Sequence, residues 1–287
     1  MSRAEMSRVR SYCVKGISYL LSFLACMLLA LSLLGMIMTS FLLSSDFMTG
    51  QAEKSEYSQR RYEEIKSEFT TMSHGFGVPE DLFLTTLEEE NIQEHIDDNF
   101  RSMVEGKEMT EDLSGFSESL RQKLDQYVQE QAYENTPDLQ KDIDLLLTQS
   151  TEYLEQAVGN DVISPFYRLI VPYQRNLMAG FALVLLGAVV FYILLFVINR
   201  WKHRAVRYTM VSFIGAGLML AVVPLAILLD GTYRRIGLLA SSSMYYLYLA
   251  LAQFVLIFLV AAGVVLIVIA LAAGIPLIKK FTAKLVR

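Results

Sequence analysis

The sequence predicts an all-α membrane protein, with four transmembrane helices and an extracytoplasmic α-helical domain inserted after the first. Three observations predict this. Four long apolar runs cover 17–43, 177–198, 208–229 and 246–278, and none contains Asp, Glu, Lys, Arg or His. Each meets the roughly 20 residues that a helix needs to cross about 30 Å of hydrocarbon. Between the first two runs, 44–176 holds 28 of the 30 Asp and Glu residues but 11 of the 25 Lys and Arg, a net charge of −17. That segment shows no sustained strand alternation, whereas helical spacing recurs.

Positive charge sets the expected orientation. Arg3, Arg8, Arg10 and Lys15 precede the first run; Arg200, Lys202, Arg204 and Arg207 join the second to the third; Lys279, Lys280, Lys284 and Arg287 follow the fourth. Excess Lys and Arg marks cytoplasmic flanks. The expected order is therefore a cytoplasmic N-terminus (1–16), the first span (17–43), the outer acidic domain (44–176) and the second span (177–198). A cytoplasmic link (199–207), the third span (208–229), an outer loop (230–245), the fourth span (246–278) and a cytoplasmic C-terminus (279–287) follow. Both termini are expected on the cytoplasmic side of the cell membrane; Arg234 and Arg235 are the exception to the charge pattern. The first run, at 27 residues, is longer than the apolar core of roughly 7–15 residues in a signal peptide, so it is expected to remain as an anchor. Cys13 and Cys26 are the two cysteines, and neither lies in the acidic segment. That domain is expected to hold together by packing alone.

Within it, 57–69 is expected to continue outward from the first span. Two glycines in Ser73-His74-Gly75-Phe76-Gly77-Val78 then mark a break. Pro79 suits the first position of a new helix, and Glu80 and Asp81 suit its positive end. Ile92, Ile96, Phe100 and Met103 make one apolar stripe; Phe116, Leu120, Leu124 and Tyr127 a second; Leu139, Ile143, Leu146 and Leu147 a third, with Thr136 as N-cap ahead of Pro137. Gly106 and Gly159 mark helix ends. The less polar 164–173 reads as an interfacial approach to the second span, and Tyr245, Tyr246 and Tyr248 as an aromatic belt at the fourth.

Chemistry is sparse. Of three histidines, His203 adds charge to the basic link, His95 sits on a polar helix face, and His74 has a loop setting near the outer membrane surface. His74 is the weak catalytic candidate, as a general acid–base for acyl transfer. No His or Cys pair has zinc spacing. Asp97 to Glu108 has acidic ends like a calcium loop, but Arg101 and Ser102 stand where an oxygen ligand and glycine are needed. Glu88-Glu89-Glu90 reads as a solvated helix face. Gly75-Phe76-Gly77 lacks the third glycine and the strand of a nucleotide loop. No metal and no cofactor are expected, and the acidic domain excludes nucleic acid as a partner. In the spans, Gln253 is expected to hydrogen-bond a neighbouring helix. Gly180, Gly187, Gly215, Gly217 and Gly263 offer small surfaces for helix contact, and Pro224 is expected to kink the third span.

Tyr62-Glu63-Glu64-Ile65-Lys66-Ser67-Glu68-Phe69 leads into Gly77-Val78-Pro79-Glu80-Asp81-Leu82-Phe83. Glu90-Asn91-Ile92-Gln93-Glu94-His95-Ile96-Asp97-Asp98-Asn99-Phe100 follows, closing with Glu105-Gly106-Lys107. In this run the chain resembles a family of uncharacterised four-span membrane proteins common in Firmicutes, with an extracellular helical domain between the first and second spans. The resemblance implies the topology; it implies no activity, and no functional residue is carried over from it. The order of spans is also similar to permease subunits of the FtsX and MacB type, although a nine-residue inner link leaves little room for a coupling element toward an ATPase. Bacterial lipoprotein intramolecular transacylases are likewise four-span, and His74 is the outer histidine such chemistry needs. The expected function is non-enzymatic: binding, sensing or scaffolding in the cell envelope through the outer domain. The expected partners are the lipid bilayer and a protein of the envelope. The alternatives are an accessory subunit of an export or division complex and a membrane acyltransferase using His74.

Overall fold

The computed structural model describes residues 3–87, 89–107, 114–132, 136–159, 164–199, 201–235 and 241–286. Among them there is no strand. Eleven α-helices are described: α1 (Arg3–Leu42), α2 (Ser45–Lys54), α3 (Tyr57–Phe76), α4 (Glu80–Leu84), α5 (Glu89–Val104), α6 (Ser114–Glu130), α7 (Pro137–Gly159), α8 (Ser164–Ile170), α9 (Gln174–Ile198), α10 (Lys202–Asp230) and α11 (Ser242–Val286). The chain divides into two compact units. One is Met1–Leu42, Gln174–Ile236 and Ala252–Arg287; the other is Leu43–Tyr173 with Gly237–Leu251.

Most of the length of the long apolar helices lies in the first unit. Tyr12–Leu42, Ser164–Ile198, Lys202–Asp230 and Ser242–Ala283 are each long and apolar enough to cross a membrane. They leave large apolar side chains uncovered: Leu183, Val197 and Leu229 are 69, 73 and 81% exposed. Such a surface is untenable in water but ordinary against lipid tails, which are as apolar as leucine. In this unit α1 packs along α9 and α10. Small residues permit the close approach. A Cβ on Gly217 would fall 2.6 Å from Gly263 O, and one on Gly263 would fall 2.5 Å from Gly217 O. The α10 and α11 backbones thus touch at these two glycines. Gly215 lies against Cys26 Sγ and Gly35 against the Phe181 ring, whereas Gly180 has open space beside it. Polar side chains close inside the unit: Asn199 Nδ2 donates to Ser18 Oγ (2.9 Å), and Ser22 Oγ donates to Tyr208 O (2.9 Å). Phe41 meets Phe254 and Phe258 edge to face.

Gln253 departs from expectation. It is exposed and makes no hydrogen bond to a neighbouring helix among the described residues. The buried face of α11 here carries Val255 and Leu259. Gln253 lies two residues before Val255, about 200° around the helix, and so points the other way. The expected inner link also shortens, because Lys202–Arg207 form the first turns of α10. Arg200 lies outside the described residues. Pro224 is buried inside α10, which continues through it.

The second unit is a helical bundle around one core. The three stripes read from the sequence are its interior: Ile96, Phe100, Met103, Leu120, Leu124, Ile143 and Leu146 are all buried. Phe69 sits at the centre, with ring centroids 5.2 Å from Phe83 and 5.6 Å from Phe116. The continuous helix expected outward from the first span is absent. α1 stops at Leu42, and Ser44, in extended conformation, caps α2 by accepting from Phe47 N at 3.4 Å. Glu56, at φ 53°, then breaks α2 from α3. Short capped helices can turn Met48, Ala52 and Tyr57 into the core, which one straight helix cannot. Other boundaries match the caps expected of them. Leu139 N donates to Thr136 Oγ1 at 3.3 Å at the start of α7. Gly106, at φ +69°, closes α5 with Lys107 N donating to Ser102 O, a left-handed glycine cap. Pro79 is the N-cap of α4 rather than its first residue.

Candidate functional site

Two features of the helical unit stand out, one apolar and one polar. The apolar feature is a groove of about 400 Å³ where the end of α3 meets α6 and α7. Its walls are Phe76 and Val78, Leu124, Tyr127 and Val128 of α6, and Leu139, Ile143 and Leu146 of α7. Asp142 is its one acidic lining residue, and it is exposed. The groove follows from how α3 ends. Gly77 adopts φ +69°, and Val78 N donates back to Ser73 O at 3.0 Å. This closing turn ends α3 beside α6 and α7, and Gly75, Phe76, Gly77 and Val78 form the wall of the groove on that side. The volume lies within the range of roughly 300–1,000 Å³ common for ligand pockets, and the lining has their apolar character.

His74 is next to this groove in sequence, but in the last turn of α3 rather than in a loop. Its Nε2 lies 2.9 Å from Glu80 Oε1, and both side chains are well exposed. His95 is half-buried on α5. No group of three or more His, Cys, Asp or Glu is placed to hold a metal ion among the described residues. Asp97, Arg101 and Ser102 lie within the helix α5, so the first part of the calcium-loop spacing is not a loop; Glu108 lies outside the described residues. Glu88 is outside them too, and Glu89 and Glu90 begin α5, with side chains outside the description.

The polar feature was missed by sequence reading. Glu64 of α3 reaches the start of α11. Its carboxylate accepts from Ser241 Oγ (2.8 Å), Ser243 Oγ (2.9 Å) and Ser243 N (2.8 Å). Arg61 Nη1 lies 3.1 Å from Glu64 Oε2, and Arg61 Nε donates to Ala157 O of α7 at 2.8 Å. One turn away, the Arg60 guanidinium lies over the Tyr246 ring at 4.1 Å. The Glu64 and Arg61 side chains retain 21 and 16% exposure. Burial acts to raise the Glu64 carboxyl, but the bonds from Ser243 N and the serine hydroxyls outweigh it and hold it below its ordinary value. A carboxylate here also meets the positive end of α11.

The arrangement is poorly suited to nucleophilic catalysis. A serine nucleophile needs a base, and a carboxylate held below its ordinary value is a weaker one at neutral pH. The donors already occupy Glu64. The chemistry is that of a shared helix cap, in which one carboxylate on α3 satisfies the opening amide and hydroxyls of α11. The sequence did carry a signal: Ser241-Ser242-Ser243 directly before an apolar run is N-cap material. Nothing in the sequence pointed to Glu64, 177 residues away from Ser241. No family model, curated protein or solved structure matches the chain.

Proposed function

We propose that this chain is a multi-pass protein of the cell membrane, with both termini cytoplasmic, whose helical unit faces outward. It acts without catalysis, by binding an apolar segment of an envelope protein in the groove between the end of α3, α6 and α7. The observation that carries this reading is the groove itself: about 400 Å³, lined by Phe76, Leu124, Tyr127, Leu139 and Ile143, in an otherwise acidic segment of net charge −17. An acidic surround suppresses non-specific association with other anionic surfaces, while an apolar groove supplies the binding free energy. The basic flanks of the four spans support the outward placement. The accessory-subunit reading asks for an inner coupling element, and only 199–201 separate α9 from α10.

The test is site-specific photocrosslinking of the full chain in native membranes. A photoreactive phenylalanine at Tyr127 is expected to yield a discrete protein adduct, and one at the exposed Glu118 to yield none. Filling the groove with Val128→Trp is expected to abolish the Tyr127 adduct. Identical adducts from both positions, or an adduct indifferent to Val128→Trp, would overturn the reading.

A further inference from the structure

A second concave site lies within the unit of long apolar helices. Phe196 near the end of α9, Val206 and Met210 near the start of α10, and Ala273 and Leu277 near the end of α11 line a slot of about 160 Å³. Its lining is carbon almost throughout. The exception is Thr209, whose Oγ1 is buried without a hydrogen-bond partner among the described residues. His203 Nδ1, on the same helix, is likewise buried and unpartnered. Two unpaired polar atoms at one end of a membrane helix are unusual, because buried polar groups are nearly always bonded.

Charge gathers at the same end. Lys202 and His203 precede Val206 by a helical turn on the slot-facing side of α10. Lys280 follows Leu277 by three residues and Ala273 by seven, which continues the slot-facing side of α11. Lys202, Arg204, Lys279 and Lys280 are exposed. Asp230 is the sole acidic residue of 177–287, and it closes the opposite end of α10. The positive charge at the mouth of the slot is therefore not matched within these helices.

We propose that this slot binds an anionic phospholipid. Part of one acyl chain fills the apolar slot, the headgroup phosphate lies against Lys202 and Lys280, and ester or glycerol oxygens meet the unpartnered Thr209 hydroxyl and His203 ring. The slot is too small for a typical drug-sized ligand and fits a narrow flexible chain. A basic cluster at the membrane boundary selects for negative headgroups, with a gain of about fivefold in affinity for each lysine close to the phosphate.

The chain supplies its own reporter. Trp201 is its single tryptophan, 40% exposed, and immediately precedes Lys202. The full chain in phosphatidylcholine nanodiscs is titrated with phosphatidylglycerol or phosphatidylcholine carrying brominated acyl chains, which quench tryptophan on contact. Brominated phosphatidylglycerol is expected to half-quench Trp201 at a mole fraction at least about fivefold lower than brominated phosphatidylcholine. The double variant Lys202→Gln/Lys280→Gln, on exposed positions, is expected to remove that difference. Ala273→Phe fills the slot from α11 and Thr209→Leu fills it from α10; both are expected to reduce the preference while circular dichroism stays helical. Soluble glycerol phosphate at millimolar concentration is expected not to relieve quenching. Equal quenching by both lipids, or a preference that survives the double lysine variant, would overturn the proposal. Retention of the preference in a folded slot variant would reduce it to diffuse charge attraction and equally overturn it. Relief by soluble glycerol phosphate would show a phosphate site without a lipid slot and overturn it too.

Discussion

Replacing Glu64 by Gln tests the cap shared by α3 and α11. The wild-type carboxylate accepts three bonds from Ser241 and Ser243 and pairs with Arg61. Gln keeps the shape and one acceptor but turns an NH2 toward donors. The serine hydroxyls can rotate away; Ser243 N and Arg61 Nη1 cannot change their role as donors. A hydrogen bond to a charged group contributes about 1.5–3 kcal/mol, and an unsatisfied donor costs about 1–3 kcal/mol. The site keeps some exposure to water, which screens the loss. The expected destabilisation is therefore about 2 kcal/mol, or a fall in Tm of roughly 4–8 °C for a domain of this size. The assay is thermal unfolding of the full chain in detergent, followed by circular dichroism. Glu63→Gln, one residue earlier on the exposed side of α3, should move Tm by under about 1 °C. The pH dependence has a definite sign. The folded carboxyl titrates below its ordinary value, so its contribution is complete above the unfolded Glu pKa of about 4.3. It is lost as pH falls through the lower folded value. The wild-type advantage over Glu64→Gln should be full at pH 7 and shrink below about pH 4. An equal Tm for the two proteins at pH 7, or an advantage that grows on acidification, would refute the shared-cap reasoning.

Further expectations follow from the same geometry. Leu124→Ala, at a core position 2% exposed, should cost about 2–5 kcal/mol, whereas exposed Asp125→Ala should change thermal stability little. Gly263→Leu places side chain where Gly217 O and Ala221 now lie; loss of a monodisperse folded species in detergent is expected, with Gly180→Leu tolerated. His74→Asn should preserve both abundance and any cellular phenotype, because the exposed His74–Glu80 pair contributes little; loss of phenotype at normal abundance would restore the acyltransferase alternative. With Cys13 and Cys26 replaced, Ser119→Cys should react with an impermeant thiol reagent on intact cells and Arg204→Cys should not. The reverse pattern would invert the proposed orientation.

Much of the architecture is local and was therefore readable in the chain. A membrane span needs only length and freedom from charge, and the four runs meet both within themselves. The stripes of α5, α6 and α7 repeat every three or four residues, so their burial was legible before any partner was known. Thr136 and Gly106 act within one turn of where they sit, and their capping roles were legible for the same reason. What the sequence concealed depends on distant residues meeting. The break at Glu56 between α2 and α3 serves the core that Met48, Ala52 and Tyr57 reach, which residues distant in sequence complete. Gln253 points away from its neighbours because the packed face of α11 is chosen by Val255 and Leu259. The apolar groove forms where the end of α3 at Gly77 meets residues of α6 and α7 that are distant in sequence. The Glu64–Ser243 cap joins positions 179 residues apart; helical period determines which face a residue occupies, while only the packed fold decides what that face meets.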